Sequence, residues 1–280
     1  MRHLMICILL IISSMAGSLQ FSEKKVLVDT FHSGVGANPE INLTALPKVL
    51  PEFIFEIKRE PLTEDLLDDY DVVMLYQPNG ILQDSEIDAL VSFVFKGGGL
   101  IICGEQEVGW SETSRDSFNR LGRPLGIIFT ATSIDDPTNK KGCYCTPVIH
   151  NLIEHPINEG VTEIVLFRPC ALWMVGDTAL PIARGDDDTR TVGSNNIVGE
   201  DVIAVAVVEY GKGRVVAVGS TTIFDDSFIN QPDNQTFCIN VFNWVSEEAP
   251  ISYSFPMVIV AIAIITGVLS AIVIIKKKQK

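Results

Sequence analysis

The fold is decided by the stretch DDYDVVMLYQPNGILQDSEIDALVSFVFKGGGLIICGE, residues 68–105. Residues 71–76 form a continuous apolar run, which is typical of a strand buried on both faces. A helix is predicted from about Asp84, because apolar residues then recur at three- and four-residue spacing. The triple glycine at 97–99 ends that helix, and the apolar residues 100–103 form the next strand. This order predicts parallel strands covered by helices.

The same alternation extends in both directions along the chain. The last two predicted strands flank Tyr-Gly-Lys-Gly, which is a hairpin signal, whereas residues 131–160 form a long excursion rich in Asp, Pro, Thr and Cys. Residues 24–247 are therefore predicted to form one α/β domain, a parallel sheet with helices on both faces. Further strands are expected at 25–29, 53–58, 126–130, 163–167, 179–183, 202–209 and 214–219, and further helices at 44–50, 63–69, 114–121 and 234–245.

Both ends of the chain resemble targeting segments. Residues 257–275 carry no charge and are mostly apolar, and at ~1.5 Å per residue they span roughly 28 Å, close to the ~30 Å hydrocarbon core of a bilayer. The lysines of residues 276–280 mark the cytoplasmic side of that predicted transmembrane helix. Residues 1–17 have the basic start, apolar core and small residues of a cleaved signal peptide, and an uncleaved anchor is the alternative.

These ends predict a single-pass protein of the cell membrane, held in the lipid by its C-terminal helix. The α/β domain would lie outside the cytoplasm, joined to the helix by a short tether at residues 248–256, and the C-terminus would be cytoplasmic.

The charge of the predicted exterior part is strongly negative. Five of the 21 basic residues lie in the terminal segments and none of the 35 acidic residues does, so 16 basic residues face 35 acidic ones, a formal charge of −19. Such a surface repels nucleic acid and anionic lipid, so no nucleic-acid partner is expected. It suits a soluble ectodomain, a cation-rich medium or a basic partner.

Four segments carry a resemblance to a known family. The stretch 68–105, the strand and loop VLVDTFHSG (26–34), the turn HPINEGV (155–161) and the closing hairpin, loop and helix (209–245) occur in the family's order. Together they resemble the class I glutamine-amidotransferase-like fold, in the branch shared by gliding-motility transport and intraflagellar-transport proteins. The resemblance covers most of residues 25–246 and implies a flavodoxin-like α/β sandwich, often carried by membrane proteins beside transport systems.

The catalytic elbow of that family is absent from this sequence. A working amidotransferase places its nucleophile in a tight Gly-x-Cys-x-Gly turn between a strand and a helix, close to a histidine. Cys103 stands instead in Ile-Ile-Cys-Gly-Glu, and no later elbow is followed by a His-x-Glu pair. We therefore expect a protein without this catalytic apparatus.

Candidate site residues follow three of the predicted strands. Asp29 and His32 come after the first strand, Gln77 and Asn79 after the third, and Glu105 after the fourth. Open α/β sheets bind ligands at the carboxyl ends of their strands, so these side chains are expected to line any binding site. The alternative for His32 is a loop histidine that is simply hydrogen-bonded to its neighbour.

Five cysteines lie outside the predicted signal peptide, and an odd number leaves at least one thiol free. Cys103 ends an apolar strand and is predicted to be buried and unpaired. Cys143 and Cys145 lie in a loop-like segment, and a disulfide from one of them to Cys170 is expected in an exported domain. The sequence leaves the connectivity open.

Two groups of residues contain possible metal ligands, but neither predicts a metal site. The first group consists of Cys143, Cys145, His150 and His155. Export favours disulfides for its cysteines, and its spacing is not that of a standard zinc finger. The aspartates at 186–188 and 225–226 are expected in solvated turns, since calcium sites interleave carboxylates with glycine and carbonyl donors. No metal and no cofactor are therefore expected.

Two glycosylation sequons begin at Asn42 and Asn234. Asn234 is well placed to cap the last helix, and an amide engaged there could not readily carry a glycan. Asn42 is therefore the predicted acceptor.

Three hypotheses about function remain open. The leading one is a non-catalytic, membrane-anchored domain that binds a partner protein or a small ligand beside an export or transport complex. The second is a divergent hydrolase using Asp29, His32 and either Glu105 or Cys103 at the strand ends. The third is a structural component of the cell envelope.

Overall fold

Apolar runs of the sequence form the strands of one large sheet and of two small, two-stranded sheets, and the patterned segments between them form the helices. The computed structural model describes residues 23–34, 38–76, 79–193 and 195–250. The strands are β1 (Lys24–Asp29), β2 (Phe53–Lys58), β3 (Val72–Leu75), β4 (Gly99–Cys103), β5 (Ile127–Phe129), β6 (Thr132–Asp135), β7 (Val148–Ile149), β8 (Asn151–Leu152), β9 (Ile164–Val165), β10 (Leu172–Met174), β11 (Leu180–Arg184), β12 (Arg190–Gly193), β13 (Ile203–Tyr210) and β14 (Gly213–Val218). The helices are α1 (Pro39–Asn42), α2 (Leu46–Val49), α3 (Glu64–Leu67), α4 (Asp84–Lys96), α5 (Glu112–Gly122) and α6 (Asn234–Val245).

The large sheet has a parallel half and an antiparallel half. Its strands lie in the order β2-β1-β3-β4-β14-β13-β10-β5, and β11 pairs with β13 and with β8. The first five strands in that order are parallel. The predicted hairpin then reverses the direction, and the pairs β14–β13, β13–β10 and β10–β5 are antiparallel. The prediction of a flavodoxin-like sheet is thus confirmed in part: the first five strands are parallel, and the strands beyond the predicted hairpin are antiparallel.

Helices cover both faces of the sheet, as predicted. One core lies between the sheet and helices α3, α4 and α5. The other lies on the opposite face, where α1, α2 and α6 pack. Strands β3, β4 and β14 of the parallel half are fully buried between both layers, which explains why their sequences are almost continuously apolar.

The predicted helix at 44–50 is shortened to the one-turn helix α2, and a second one-turn helix, α1, precedes it. Pro39 begins α1 and Pro47 lies in the first turn of α2, and Pro51 follows directly after α2. A proline has no backbone N–H to donate, so it is tolerated only in the first turn of a helix. The closely spaced prolines therefore limit each helix to one turn.

Helix α4 sets the geometry of the edge at which the parallel strands end. Its N-cap is Gln83, and the side chain of Glu86 accepts the Gln83 backbone N–H at 2.9 Å, completing a capping box. The helix therefore begins at Asp84, as predicted. At the other end Gly97 has φ 125°, a conformation that favours glycine. A Cβ on Gly99 would lie 2.3 Å from the carbonyl oxygen of Val245, so the triple glycine lets β4 pack directly against α6.

No helix within the described ranges is long and apolar enough to cross a membrane. The predicted signal peptide, the transmembrane helix, the cytoplasmic tail and most of the tether lie outside the described residues.

Candidate functional site

The carboxyl ends of β1, β3, β4 and β14 meet at one edge of the sheet. This is the edge at which parallel α/β sheets bind their ligands. All five predicted site residues follow strands that end here, and Gln77 lies outside the described residues. The other four fall into two groups, one around His32 and one around Glu105.

His32 is buried between two carboxylates. Its Nδ1 lies 3.0 Å from Oδ2 of Asp29, and its Nε2 lies 3.2 Å from Oε2 of Glu86. The three residues are only 2%, 1% and 3% exposed. The predicted pair of Asp29 and His32 is therefore present, but it is part of a buried triad whose third member was not predicted.

Glu86 connects that triad to the neighbouring loops. Its Oε1 accepts the backbone N–H of Leu62 at 3.0 Å, while Oε2 accepts that of Gln83 at 2.9 Å. The only signal for Glu86 in the sequence is the Gln-x-x-Glu spacing of a capping box. That signal predicts a helix start and says nothing of a histidine 54 positions away.

Opposing effects act on the pKa of His32. Burial alone would lower it, because a buried charge loses its hydration. The hydrogen bond and the negative charge of Asp29, together with those of Glu86, outweigh burial and raise the pKa of His32 above its ordinary value of 6.5. The imidazolium form is therefore favoured within the triad.

A surface groove lies directly over Glu86. It has a volume of about 450 Å³, and Phe31 and Ile81 form its exposed apolar rim, being 50% and 47% exposed. We call it the Phe31–Ile81 groove. Two acidic residues, Glu64 and Glu86, line the groove, and none of the described residues that line it is basic. It is a pocket for an apolar group in an acidic setting.

Asn79 ties together three loops beside this groove. Its backbone N–H and that of Gly80 donate to the carbonyl oxygen of His32 at 2.8 and 2.7 Å. Its side-chain oxygen accepts the N–H of Ser111 at 3.1 Å. A Cβ on Gly80 would lie 2.8 Å from Cα of His32, so this close approach requires glycine. Asn79 therefore positions the loop on which Ile81 lies.

Glu105 lies in the second group, near the end of β14. Its Oε1 accepts the adjacent Gln106 N–H at 2.9 Å. Burial raises the pKa of Glu105 to about 7, and the negative charge of Asp225 acts in the same direction, while the Gln106 N–H and the charge of Arg168 oppose it. Glu105 is therefore a carboxyl group that titrates near neutral pH.

The three free cysteines among the described residues are all buried. Cys103, Cys170 and Cys238 are 0% exposed, and burial raises the pKa of each thiol. The thiolate is the reactive form of cysteine, so this environment disfavours nucleophilic chemistry. The prediction that Cys103 is buried and unpaired is confirmed.

The disulfide differs from the expected one. Cys143 and Cys145 are bonded to each other in a surface turn, and Cys170 is not bonded. The expected bridge to Cys170 is therefore wrong. Cys170 belongs to the sheet core, where its Sγ packs so closely on Gly104 that a Cβ there would lie 2.6 Å away. The bond also removes both thiolates from the possible zinc ligands considered above.

The acidic segments of the chain are organised by hydrogen bonds. Asp136, Asp186 and Asp188 bring carboxylate oxygens within 4.8 Å of one another. The buried Asp136 accepts the backbone N–H groups of Thr138 and Asn139, and it accepts the hydroxyl of Thr189. These donors organise the turns, so the cluster is explained without an ion.

The two glycosylation sequons lie in different environments. The side chain of Asn234 is buried and exchanges hydrogen bonds with the backbone of Val165 at 2.8 and 2.9 Å. It is thus engaged, although by a neighbouring strand and not by its own helix. Asn42 is half-buried at the end of α1, and its carbonyl accepts the N–H of Asp226 at 2.7 Å. Asn42 remains the predicted acceptor.

No known family model matches the sequence, and no curated protein matches it. Solved structures do match. The N-terminal domain of mmIFT52 superposes with a TM-score of 0.64 at 16% identity, over 82% of this chain and 100% of that domain. A cytoplasmic protein from Salmonella typhimurium gives 0.53 at 15% identity, over 80% of this chain and 99% of that one. A ThuA-like protein from Parabacteroides merdae gives 0.51 at 14% identity, over 82% of this chain and 94% of that one.

These similarities define a class of fold. The mmIFT52 domain and the ThuA-like protein have class I glutamine-amidotransferase-like folds, and this chain has a fold of the same class. The predicted resemblance is thereby confirmed at the level of the fold. At identities of 14–16% the matches say nothing of activity.

Proposed function

We propose that this chain is a membrane-anchored, extracytoplasmic binding domain that acts without covalent catalysis. The observation that carries the proposal is the Phe31–Ile81 groove. Its rim consists of loops that follow β1 and β3, at the edge where this class of fold presents its sites. Two large apolar side chains lie half exposed around a concave surface there, and such a surface suits a partner more than it suits water.

The buried state of the reactive groups supports a role without covalent catalysis. His32 uses both ring nitrogens within the triad, so neither is free to take a proton from a substrate. The thiol of Cys103 is buried at the end of β4 with a raised pKa. A thiol-reactive probe applied to the folded protein should leave Cys103 unlabelled, and stoichiometric labelling of Cys103 would contradict this part of the proposal.

The proposed partner is a protein segment that presents an aliphatic side chain flanked by basic residues. The groove is lined by Glu64 and Glu86 and by no basic residue in the described part of the chain. The predicted exterior part as a whole carries a formal charge of −19. Attraction between opposite charges would steer a basic segment to this surface, and burial of an aliphatic side chain between Phe31 and Ile81 would then hold it.

Synthetic peptides with one central leucine test this proposal on the full-length protein. One peptide is flanked by lysines and a second by glutamates. Binding is measured by isothermal titration calorimetry for every variant, and the NMR signal of the Ile81 methyl group is followed in the unchanged protein. We expect the lysine-flanked peptide to bind and to shift that signal. Phe31→Ser and Ile81→Ser should each weaken binding about tenfold or more, because each removes an apolar wall (about 1.4 kcal/mol per tenfold).

The matched control is Ile41→Ser, since Ile41 is 65% exposed on α1, outside the groove. This variant should bind as the unchanged protein does. Equal binding of the two peptides, or equal loss in all three variants, would contradict the proposed site.

The anchored arrangement and a place beside a transport complex are part of the same proposal. Uncharged residues 257–275 followed by lysines support the anchor, and the resemblance to the transport-associated branch supports the setting. Protease added to intact cells should digest the α/β domain and spare the lysine tail. The opposite pattern would reverse the orientation.

One observation favours a second candidate, a divergent hydrolase. Glu105 has a pKa of about 7, which is the value expected of a general acid or base at neutral pH. If this candidate were correct, the full-length protein would cleave a chromogenic ester or amide with a pH dependence near 7, and Glu105→Gln would abolish that cleavage. Equal, background rates for both proteins would exclude it for these substrates.

A further inference from the structure

The ring of His32 contacts two groups that accept hydrogen bonds. Its Nδ1 faces Asp29 at 3.0 Å and its Nε2 faces Glu86 at 3.2 Å. A carboxylate oxygen has no proton to donate, so with Asp29 and Glu86 ionised both ring nitrogens are the donors. An imidazole that donates from both nitrogens carries a positive charge. The geometry of the triad therefore requires one more proton than neutral histidine has.

The other partners of the two carboxylates are also donors. Oδ1 of Asp29 accepts the backbone N–H of Phe31 at 3.1 Å. The oxygens of Glu86 accept the N–H groups of Leu62 and Gln83. The charged groups that face the ring are thus Asp29 on β1 and Glu86 on α4, while the loops at Leu62 and at Gly80 contribute backbone atoms.

Loss of the proton would break one side of the triad. A neutral imidazole keeps one N–H, so its other nitrogen would present a lone pair to a carboxylate about 3 Å away. Because all three residues are at most 3% exposed, little water is present to screen that repulsion. One contact must then open.

The loops that shape the groove are fastened to this triad. Phe31 adjoins His32 in sequence, and the two rings are in contact with their centroids 5.0 Å apart. The backbone carbonyl of His32 accepts a hydrogen bond from the N–H of Gly80, which directly precedes Ile81. The position of both rim residues therefore depends on His32, which acts as a positioning residue.

We propose that the proton on His32 is a latch for the Phe31–Ile81 groove. With the proton, the loop after β1 is tied to the start of α4 and the groove keeps its shape. Without it, the contact between His32 and one carboxylate opens, and the rim residues move. This inference rests on the proposed binding role of the same groove and names its regulation.

The direction of the pH dependence follows from the raised pKa of His32. A group with a higher pKa in the folded state stabilises that state fully below its ordinary pKa of 6.5. The contribution is lost as the pH rises through the higher, folded-state value. The latch is therefore closed below pH 6.5 and opens as the pH rises through the raised pKa of His32.

NMR titration of the full-length protein from about pH 5 to pH 9 tests the latch. The ring signal of His32 should titrate with a midpoint above 6.5, the ordinary value. The Ile81 methyl signal should move with the same midpoint, while that of Ile41 on the opposite face stays constant. A His32 midpoint at or below 6.5, or an Ile81 signal that ignores the titration of His32, would overturn the proposal.

Two variants sharpen the test. Glu86→Gln removes one negative charge and should lower the midpoint of His32. His150→Gln is the matched control, because His150 is an exposed histidine, 3.7 Å from Glu163 and outside the triad, and it should change neither signal. If Glu86→Gln fails to fold, the titration of the unchanged protein still decides.

Failure of the latch and failure of the proposed function are distinguishable. If only the latch is wrong, the lysine-flanked peptide still binds at pH 6 and binds equally well at pH 9. If only the binding role is wrong, His32 and Ile81 titrate together as expected but neither peptide binds.

Discussion

Two regions of the same sheet edge hold their carboxyl groups in opposite ways. In the triad, the carboxylates of Asp29 and Glu86 accept hydrogen bonds from both nitrogens of His32 and from backbone N–H groups. In the second region, the hydrogen bond of Glu105 is to its neighbour Gln106, and the carboxylate of Asp225 lies close enough to repel it. Both regions are largely shielded from water, so hydrogen bonding and charge make the difference.

This contrast distinguishes buried charges that stabilise the fold from buried charges that can take part in proton transfer. A buried charge that is fully hydrogen-bonded holds the structure together, and its removal leaves unpaired partners. A buried charge with few partners destabilises the ionised form, and its pKa moves toward neutrality. We therefore expect the first region to fix the shape of the groove, and the second to carry any proton chemistry.

The largest expected effect is the loss of a triad member. Glu86→Ala should lower the free energy of unfolding by about 3–5 kcal/mol, because it leaves the His32 cation and two backbone N–H groups without their acceptor. Chemical denaturation at neutral pH measures this change. The control is Glu64→Ala, since Glu64 forms an exposed ion pair with Lys96 and should contribute about 1 kcal/mol or less. Equal effects of the two variants would mean that the triad does not stabilise the fold.

The strands up to the hairpin could be predicted from the sequence because the central ones are buried on both faces of the sheet. Strands such as β3 and β4 are fully buried, so every residue is apolar and the pattern is unambiguous. Helix α6 also begins and ends where its pattern predicted, at 234 and 245. The antiparallel β13–β14 hairpin was predicted from its turn, but the antiparallel pairings beyond it were missed, because local patterns do not determine the direction of a strand. Strand β5, for example, pairs with β10 at the far end of the sheet.

The candidate site was predictable only where its members are close in sequence. Asp29 and His32 are three residues apart, and a strand end brings them together without knowledge of the rest of the fold. Glu86 reaches His32 from 54 residues away, through the packing of α4 on the sheet. The cysteines show the same limit, since Cys170 looked free to pair with a loop cysteine until its place in the sheet core was known.

The next largest effect is the pH dependence that Glu105 imposes. Its pKa is about 7 in the folded protein against 4.5 ordinarily, so the folded state holds the proton more tightly than the unfolded state between these values. Stability should therefore fall as the pH rises from about 4.5 to about 7. A shift of this size corresponds to about 3 kcal/mol at most, and we expect about half of that because Glu105 is partly exposed.

Glu105→Gln isolates this contribution, since glutamine keeps the shape and does not titrate. The slope of the unfolding free energy between pH 4.5 and 7 should flatten in this variant. The contribution of the triad is fully present below pH 6.5 and is lost only at higher pH, so the pH dependences of the two regions separate along the pH axis. An unchanged slope in Glu105→Gln would show that Glu105 is well solvated and that the contrast between the regions is smaller than the geometry indicates.

The smallest effect concerns two asparagines at this edge. Asn79→Ala removes the acceptor of the Ser111 N–H and should cost about 1 kcal/mol, the usual contribution of one hydrogen bond. Asn38 provides the matched control, because its side chain does not cap α1 and its Oδ1 is buried without a hydrogen-bond partner. Asn38→Ala should therefore lower the free energy of unfolding less than Asn79→Ala does. It should raise that free energy if burying the unpaired oxygen costs more than the packing of the side chain contributes.

Because the backbone N–H of Asn79 still reaches His32 in the Asn79→Ala variant, the Ile81 methyl signal should keep its titration. A variant that lost that titration along with about 1 kcal/mol would show that the Asn79 side chain, and not the proton on His32, positions the groove.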